Sequence, residues 1–331
     1  MKRYVKIAGW GRYVPDRRIT NAELVERLGI DEDWILTRTG MLERRLADSH
    51  ESTSTMAMHA ACEALRVANV EPAAVDLILL NTLTPDYPNC PQSSALVQHG
   101  IGAVNAGAID TNASCSGFLY SMVMASHMIA NGGADNILVI ASETLSRATN
   151  TKDPATSVLF GDGAGAVLLQ ATSQPGGLVS SVLGSDGSGY DAIIVRAGGS
   201  KKPASHETVD AGEHVFEMNG RAVYRFAVNI IPVILRQALD KAGLKSTDID
   251  LLVPHQANNR IIREGLKDIE LRPGVVFQNL DRYGNTSSAS VPIALAEALD
   301  QRHGKPGRYL SLIGFGAGLA WASVIWEWQQ S

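Results

Sequence analysis

The sequence predicts an α/β protein built from two similar halves. Its 331 residues are more than one small core organises, since domains run to about 100–200 residues. Helical segments alternate with apolar runs of strand type, the pattern of sheets covered on both faces. One stretch also recurs. ACEALRVANVEPAAVDLILLNT (Ala61–Thr82) matches LRQALDKAGLKSTDIDLLVPHQ (Leu235–Gln256) at a constant shift, with Ala64, Leu65, Ala68, Val75, Asp76 and Leu77 falling on Ala238, Leu239, Ala242, Ile249, Asp250 and Leu251. A period this long indicates a duplicated domain rather than a solenoid.

The elements follow in order. Tyr4–Ala8 reads as a short strand followed by a turn at Gly9–Gly11. Asn21–Leu28 reads as a helix capped by Thr20 or Asn21, and Asp31–Thr37 as a second one ending near Gly40. Thr53–Ala68 carries apolar residues at helical spacing, and Val75–Thr82 is a run of buried-strand type. Pro91–His99 reads as helical. Ala108–Asp110 leads as a strand into the helix Ser116–Ala130, and Asn136–Ser142 is another buried strand. The same shift carries Ile137–Ile140 onto Ser311–Gly314. The polar, Gly-rich stretch Ser173–Gly212 reads as a connection with insertions, which divides the chain into residues 1–172 and 173–331.

Composition narrows the function. Hydrophobic residues at 45% and charged residues at 19% exclude a disordered chain or a coiled coil. The balance of 29 Lys+Arg against 34 Asp+Glu, with no block of like charge, excludes a nucleic-acid footprint. The apolar runs fall short of the ~20 residues that a membrane helix needs, and Met1–Gly11 does not read as a signal peptide. Three widely spaced cysteines argue against a disulfide framework or a metal site, and a reducing cytoplasm fits best.

The duplication locates candidate chemistry. Matching strands end at Asn81 and His255, and matching strand–helix junctions fall at Asn112–Ser116 and Gly284–Ser288. Ligands of open α/β sheets bind outside the carboxyl ends of strands. Two halves related by a pseudo-twofold would therefore bring Cys115, His255 and Asn285 into one cleft. Cys115, in NASCSG before a long helix, would gain thiolate character from the unpaired N–H groups there; a buried packing cysteine is the alternative. His255 ends an apolar strand, as a cavity imidazole or a hydrogen-bonded core histidine. Asn285 opens a helix, as a cap or as a donor to a developing oxyanion. Cys62 is expected on a helix packing face. The loops Gly161–Gly165 and Gly314–Gly318 are each followed by a strand-like run rather than a helix. They therefore read as backbone turns close to a ligand, not as dinucleotide loops.

In this order and spacing, the cysteine at its strand–helix turn, PHQANNRII (Pro254–Ile262), GNTSSAS (Gly284–Ser290) and GFGAGLAW (Gly314–Trp321) resemble β-ketoacyl-acyl-carrier-protein synthase III. DWILTRTG (Asp33–Gly40) and LFGDGAGA (Leu159–Ala166) extend the resemblance from Val5 to about Trp326. It implies a thiolase-like fold, two α/β halves layered α/β/α/β/α. It also implies decarboxylative condensation of an acyl thioester with malonyl-acyl carrier protein in fatty acid biosynthesis. Cys115 would carry the acyl group, and His255 and Asn285 would hold the malonyl thioester carbonyl. The N–H groups of Cys115 and Ala317 would bind the second oxyanion.

By the same resemblance Trp34 and Arg38 would clamp coenzyme A and Arg260 would dock the acidic carrier protein. Leu145, Phe160 and Phe216 would line the acyl tunnel, Phe315 would lie beside the thiol, and Cys90 would close the pocket across a homodimer. The implied partners are acyl carrier protein, acyl-coenzyme A as a substrate rather than a cofactor, and a second copy of the chain. Two departures stand out. Asp153-Pro154 occupies a place where many members carry Asp-Arg, an Arg that grips coenzyme A, which leaves room for a carrier-bound donor. Cys90 stands where Phe is common, which predicts a deeper pocket for primers longer than acetyl. The closest alternative is a relative of secondary metabolism with another acyl donor or acceptor. A non-catalytic partner subunit and a nucleotide-dependent oxidoreductase are further ones.

Overall fold

The structure, a computed structural model, describes residues 2–88, 90–301, 303 and 308–329. One sheet has five strands in the order Tyr4–Tyr13, Gly163–Thr172, Asn136–Glu143, Leu77–Asn81, Gly107–Thr111. The first three pair antiparallel and the last three parallel. The second sheet repeats the plan with Gly177–Ser185, Ala320–Glu327, Tyr309–Gly316 and Ile249–Pro254. Its fifth place is reduced to a single parallel bridge between Val276 and Leu252.

Helices fill three layers. Thr53–Ala68 covers the outer face of the first sheet, burying Met56, Ala57, Ala60, Ala61, Ala64 and Leu65. Its small residues allow close approach, and the strand beneath answers with glycine: a Cβ on Gly9 would come within 2.8 Å of Ala68 Cβ. The strand therefore continues through Gly9 and Gly11, with a register shift between Ile7 and Gly9, where the sequence suggested a turn. Gly220–Ala242 covers the second sheet. It is long and apolar enough by composition to cross a membrane. However, its stripe of Ala227, Ile231, Ile234, Leu235, Ala238 and Leu239 is buried in the second core.

Gly117–Ala130 and Ser290–Asp300 lie between the two sheets and contact strands of both. A helix that is apolar on every side belongs in a core, and Ser290–Leu299 is buried throughout. The largest apolar cluster joins these two helices to both sheets, so the halves share one core.

The stretch after Ser173 differs from its expected role as a connection. Gly177–Ser185 is an edge strand paired with Ala320–Glu327. Its sequence concealed this because the serine faces inward: Ser180 is buried, with its hydroxyl donating to Ala238 O at 2.6 Å, while Val179 and Leu183 face out. The following residues fold over the cavity described next, held by a two-residue ladder between Ile193–Ile194 and Glu217–Met218.

Candidate active site

A cavity of about 1730 Å³ opens where the carboxyl ends of the parallel strands of both halves meet, and Cys115, His255 and Asn285 all line it. Cys115 is the middle residue of a 3-10 turn, Ser114–Ser116, that feeds the central helix Gly117–Ala130. The turn is held by Asn81, whose Oδ1 accepts from Ala113 N–H at 3.3 Å and whose Nδ2 donates to Ser114 O at 3.4 Å. Ser114 adopts φ +50°, a left-handed conformation uncommon outside glycine. Across the cleft, a Cβ on Gly316 would lie 2.7 Å from Cys115 Sγ. Only glycine there lets the neighbouring backbone reach the sulfur.

The sulfur is a thiol at rest. Burial pushes Cys115 up to about 11, and the nearby charge of Glu143 adds to the rise. The Ser287 hydroxyl, donating to Sγ at 3.4 Å, and the N–H groups of Ala317 and Cys115 oppose it. The sequence suggested a lowered pKa from the helix terminus; desolvation of the charged form outweighs these donors. They remain aimed at the sulfur.

His255 is buried, and burial lowers its pKa to about 3, so the ring is neutral at pH 7. Its Nδ1 lies 2.7 Å from Ser290 Oγ, which also accepts Gln256 N–H at 3.2 Å. With Ser290 Oγ donating to Nδ1, the tautomer that pairs this hydroxyl proton, the ring proton sits on Nε2 as a donor. Asn285 is fixed likewise: Ser287 N–H donates to its Oδ1 at 2.8 Å, leaving Nδ2 free to donate. Two neutral donors thus accompany one buried sulfur.

The remaining candidates divide. Leu145, Phe160, Phe216 and Phe315 line the cavity. Phe160 and Phe216 pack with centroids 5.5 Å apart, and Phe315 sets its ring edge-on to His255 at 5.2 Å. Trp34 and Arg38 line the cavity together, the guanidinium 5.0 Å from the indole, and Arg260 lies 5.7 Å from the Tyr224 ring. Arg147 does not replace the missing arginine: it donates to the carbonyls of Asp48 and Glu51, away from the cavity. Cys90 is exposed and lies outside its own chain's cavity lining, although Pro88, Pro91 and Gln92 belong to it.

Two expectations need correction. Cys62 is exposed, because Ala61, Ala64 and Leu65 take the buried stripe of its helix. The Gly161–Gly165 loop lines no part of the cavity. Gly163 and Gly165 already belong to the strand Gly163–Thr172, and a Cβ on Gly165 would meet Ile293 N at 2.6 Å, so this glycine serves close packing against the second central helix. Sequence reasoning also missed Ser287, Ser290 and Glu143, and it placed Asn81 at a strand end without its hold on the Cys115 turn. The hydroxyl-rich GNTSSAS and the repeat that sets Asn81 opposite His255 were the signals available. Among the described residues no cluster of metal-ligating side chains occurs.

Residues 109–187 match the family model described as 3-oxoacyl-[acyl-carrier-protein (ACP)] synthase III, and residues 239–328 match the model of its C-terminal part. The β-ketoacyl-acyl-carrier-protein synthase III of Symbiobacterium thermophilum is 48% identical over 326 residues, 98% of each chain. That of a Roseiflexus species is 45% identical over 328 residues, 99% of each chain. The crystal structure of 3-oxoacyl-acyl-carrier-protein synthase III from Aquifex aeolicus is 38% identical. It superposes with a TM-score of 0.90 over 98% of this chain and 100% of that one.

Proposed function

The chain belongs to the 3-oxoacyl-acyl-carrier-protein synthase III family, thiolase-fold condensing enzymes that transfer acyl groups, and on that premise we propose that Cys115, His255 and Asn285 carry its reaction. Cys115 Sγ attacks the carbonyl of an acyl thioester; the carrier thiol leaves with the proton, and the acyl group stays on the sulfur. A malonyl thioester then presents its carbonyl oxygen to His255 Nε2–H and Asn285 Nδ2–H. Carbon dioxide leaves, and the charge that builds on that oxygen is met by both donors. The enolate carbon attacks the acyl-Cys115 carbonyl, whose oxygen the N–H groups of Cys115 and Ala317 hold. The carbon–sulfur bond breaks, the Cys115 thiolate takes a proton from solvent water, and the 3-oxoacyl thioester departs.

The observation that carries this reading is the fixed orientation of both side-chain donors beside a shared cavity, through Ser290 on His255 and Ser287 on Asn285. A thioester enters as substrate, and no separate cofactor is required. Residues 1–172 supply the nucleophile and residues 173–331 the donors. Trp34, Arg38 and Arg260 at the cavity suit a phosphate-bearing arm and an acidic carrier protein. Leu145, Phe160 and Phe216 form the acyl wall. With Cys90 in place of a bulkier side chain, primers longer than acetyl fit. The exposed edge strand Gly107–Thr111, with Val104, Ile109, Met124 and Met128 exposed, suits a second copy of the chain in the cytoplasm. Full-length likeness to synthase III enzymes favours this reading over the secondary-metabolism alternative.

Intact-mass measurement after incubation with a panel of acyl thioesters tests it. The expected result is a single acyl adduct on the wild type, with primers of four to eight carbons accepted at least as well as acetyl. His255→Ala should still acylate but condense about 10²–10³-fold more slowly. Near wild-type condensation by that variant would sink the assigned roles.

A further inference from the structure

The strand Asn136–Glu143 ends in a carboxylate that is fully buried and stands behind the lining of the active-site cavity. Glu143 Oε2 accepts from Leu83 N–H at 3.0 Å, from the Thr84 hydroxyl at 2.9 Å and from the Thr82 hydroxyl at 3.3 Å. Thr82, Leu83 and Thr84 are cavity wall, all from the first half. Its other oxygen, Oε1, accepts from the Ser288 hydroxyl at 2.8 Å, which belongs to the second half. Ser288 follows Ser287, the residue that donates its hydroxyl to Cys115 Sγ and its N–H to Asn285.

We propose that Glu143 is a positioning residue: it ties the cavity wall of one half to the donor-bearing turn of the other, and its charge sets the reactivity of Cys115. The proposal rests on Cys115 being the nucleophile of the condensation.

The physical case has two parts. A buried carboxylate with four donors is a rigid joint, because removing it leaves those donors unmet away from water. The second part is electrostatic. Glu143 lies directly behind the Ser287–Ser288 turn that contacts Cys115 Sγ, and its charge disfavours thiolate. The other groups facing the sulfur are neutral: the Ser287 hydroxyl and the N–H groups of Ala317 and Cys115. The groups facing Glu143 are neutral as well, being Thr82, Thr84, Ser288 and Leu83 N–H. Burial raises the Glu143 carboxyl to about 7, so its charge changes across the neutral range. Its influence on the sulfur should therefore be present at alkaline pH and absent at mildly acidic pH.

The test is the rate at which iodoacetamide alkylates Cys115, read by peptide mass spectrometry with exposed Cys62 and Cys90 as internal references. Glu143→Gln keeps the shape and removes the charge. At pH 8.5 its Cys115 should react several-fold faster than wild type, on the order of three- to tenfold; at pH 5.5 the two should match. Glu143→Asp, which restores a charge, should return the alkaline rate towards wild type. Ser288→Ala keeps the carboxylate and cuts the tie between halves. It should lower condensation kcat several-fold with little change in primer KM, and it carries the positioning part should Glu143→Gln fail to fold. Equal alkylation of wild type and Glu143→Gln at both pH values would overturn the electrostatic role, as would an acceleration that is the same at both. Unchanged condensation in Ser288→Ala would overturn the tie. Alkylation needs no thioester, so a wild type that accepts no primer would refute the condensing reading while leaving the Glu143 result intact.

Discussion

The turn Ser114–Ser116 and the turn Ser287–Ala289 are the same structure used twice. Each is a 3-10 turn feeding a central helix, and each opens on a serine at φ +50°. Their side chains differ in aim. After Ser114 comes Cys115, facing the cavity; after Ser287 comes Ser288, turned back to Glu143. The strand ends that approach them differ in the same way. Asn81 is spent on the backbone of the Cys115 turn, whereas its counterpart His255 keeps Nε2 for the cavity because Ser290 occupies Nδ1. A duplicated scaffold thus supplies two equivalent positions, and hydrogen-bond partners decide which side chain faces the cavity and which holds the structure.

The largest expected effect comes from Cys115→Ala, which should abolish the acyl adduct in intact-mass measurements while the protein stays folded. Its counterpart Ser288 should show no adduct in any variant, and one on Ser288 would break the division between the turns. Next, the strand ends should separate stability from chemistry. His255→Ala should reduce condensation by the loss of one oxyanion donor, about 2.7–4 kcal/mol or 10²–10³ in rate. Asn81→Ala leaves Ala113 N–H and Ser114 O unmet and should destabilise the fold by about 1–3 kcal/mol. Denaturant unfolding of the two variants reads this contrast; equal destabilisation would erase it.

A pH series sharpens the same point. His255 has its pKa lowered from 6.5 to about 3, so the unfolded chain binds the proton first. Its contribution to stability is complete above 6.5 and is lost as pH falls towards 3. Relative to wild type, His255→Asn should gain up to about 1.4 kcal/mol for each pH unit below 6.5. Glu143, raised from 4.5 to about 7, works the other way: its contribution is complete below 4.5 and is lost as pH rises through 7. Relative to wild type, Glu143→Gln should therefore lose ground on acidification over that window. The smallest effect belongs to Cys62→Ser, exposed on its helix and expected within about 0.5 kcal/mol of wild type by thermal unfolding.

Much of the site was legible in the sequence because short motifs carry it. NASCSG, PHQAN and GNTSSAS each place one reactive group at a strand end or strand–helix junction, and the internal repeat implied that those ends meet. The Gly9–Gly11 turn failed as a reading because glycine marks either a bend or a close neighbour. Only the helix Thr53–Ala68 lying on that strand distinguishes them. The strand Gly177–Ser185 stayed hidden because burial of Ser180 is set by Ala238 O, a partner distant in the chain.

By itself, then, the sequence determined the doubled α/β plan and which side chains could react, since periodicity and motif are local properties of the chain. The tertiary structure alone decided their protonation and aim: that burial raises the Cys115 thiol, that His255 is neutral with Nδ1 against Ser290, and that Glu143 joins the two halves behind the cavity. Those properties depend on desolvation and on partners from the opposite half, and both come into being only when the two halves close on a shared core.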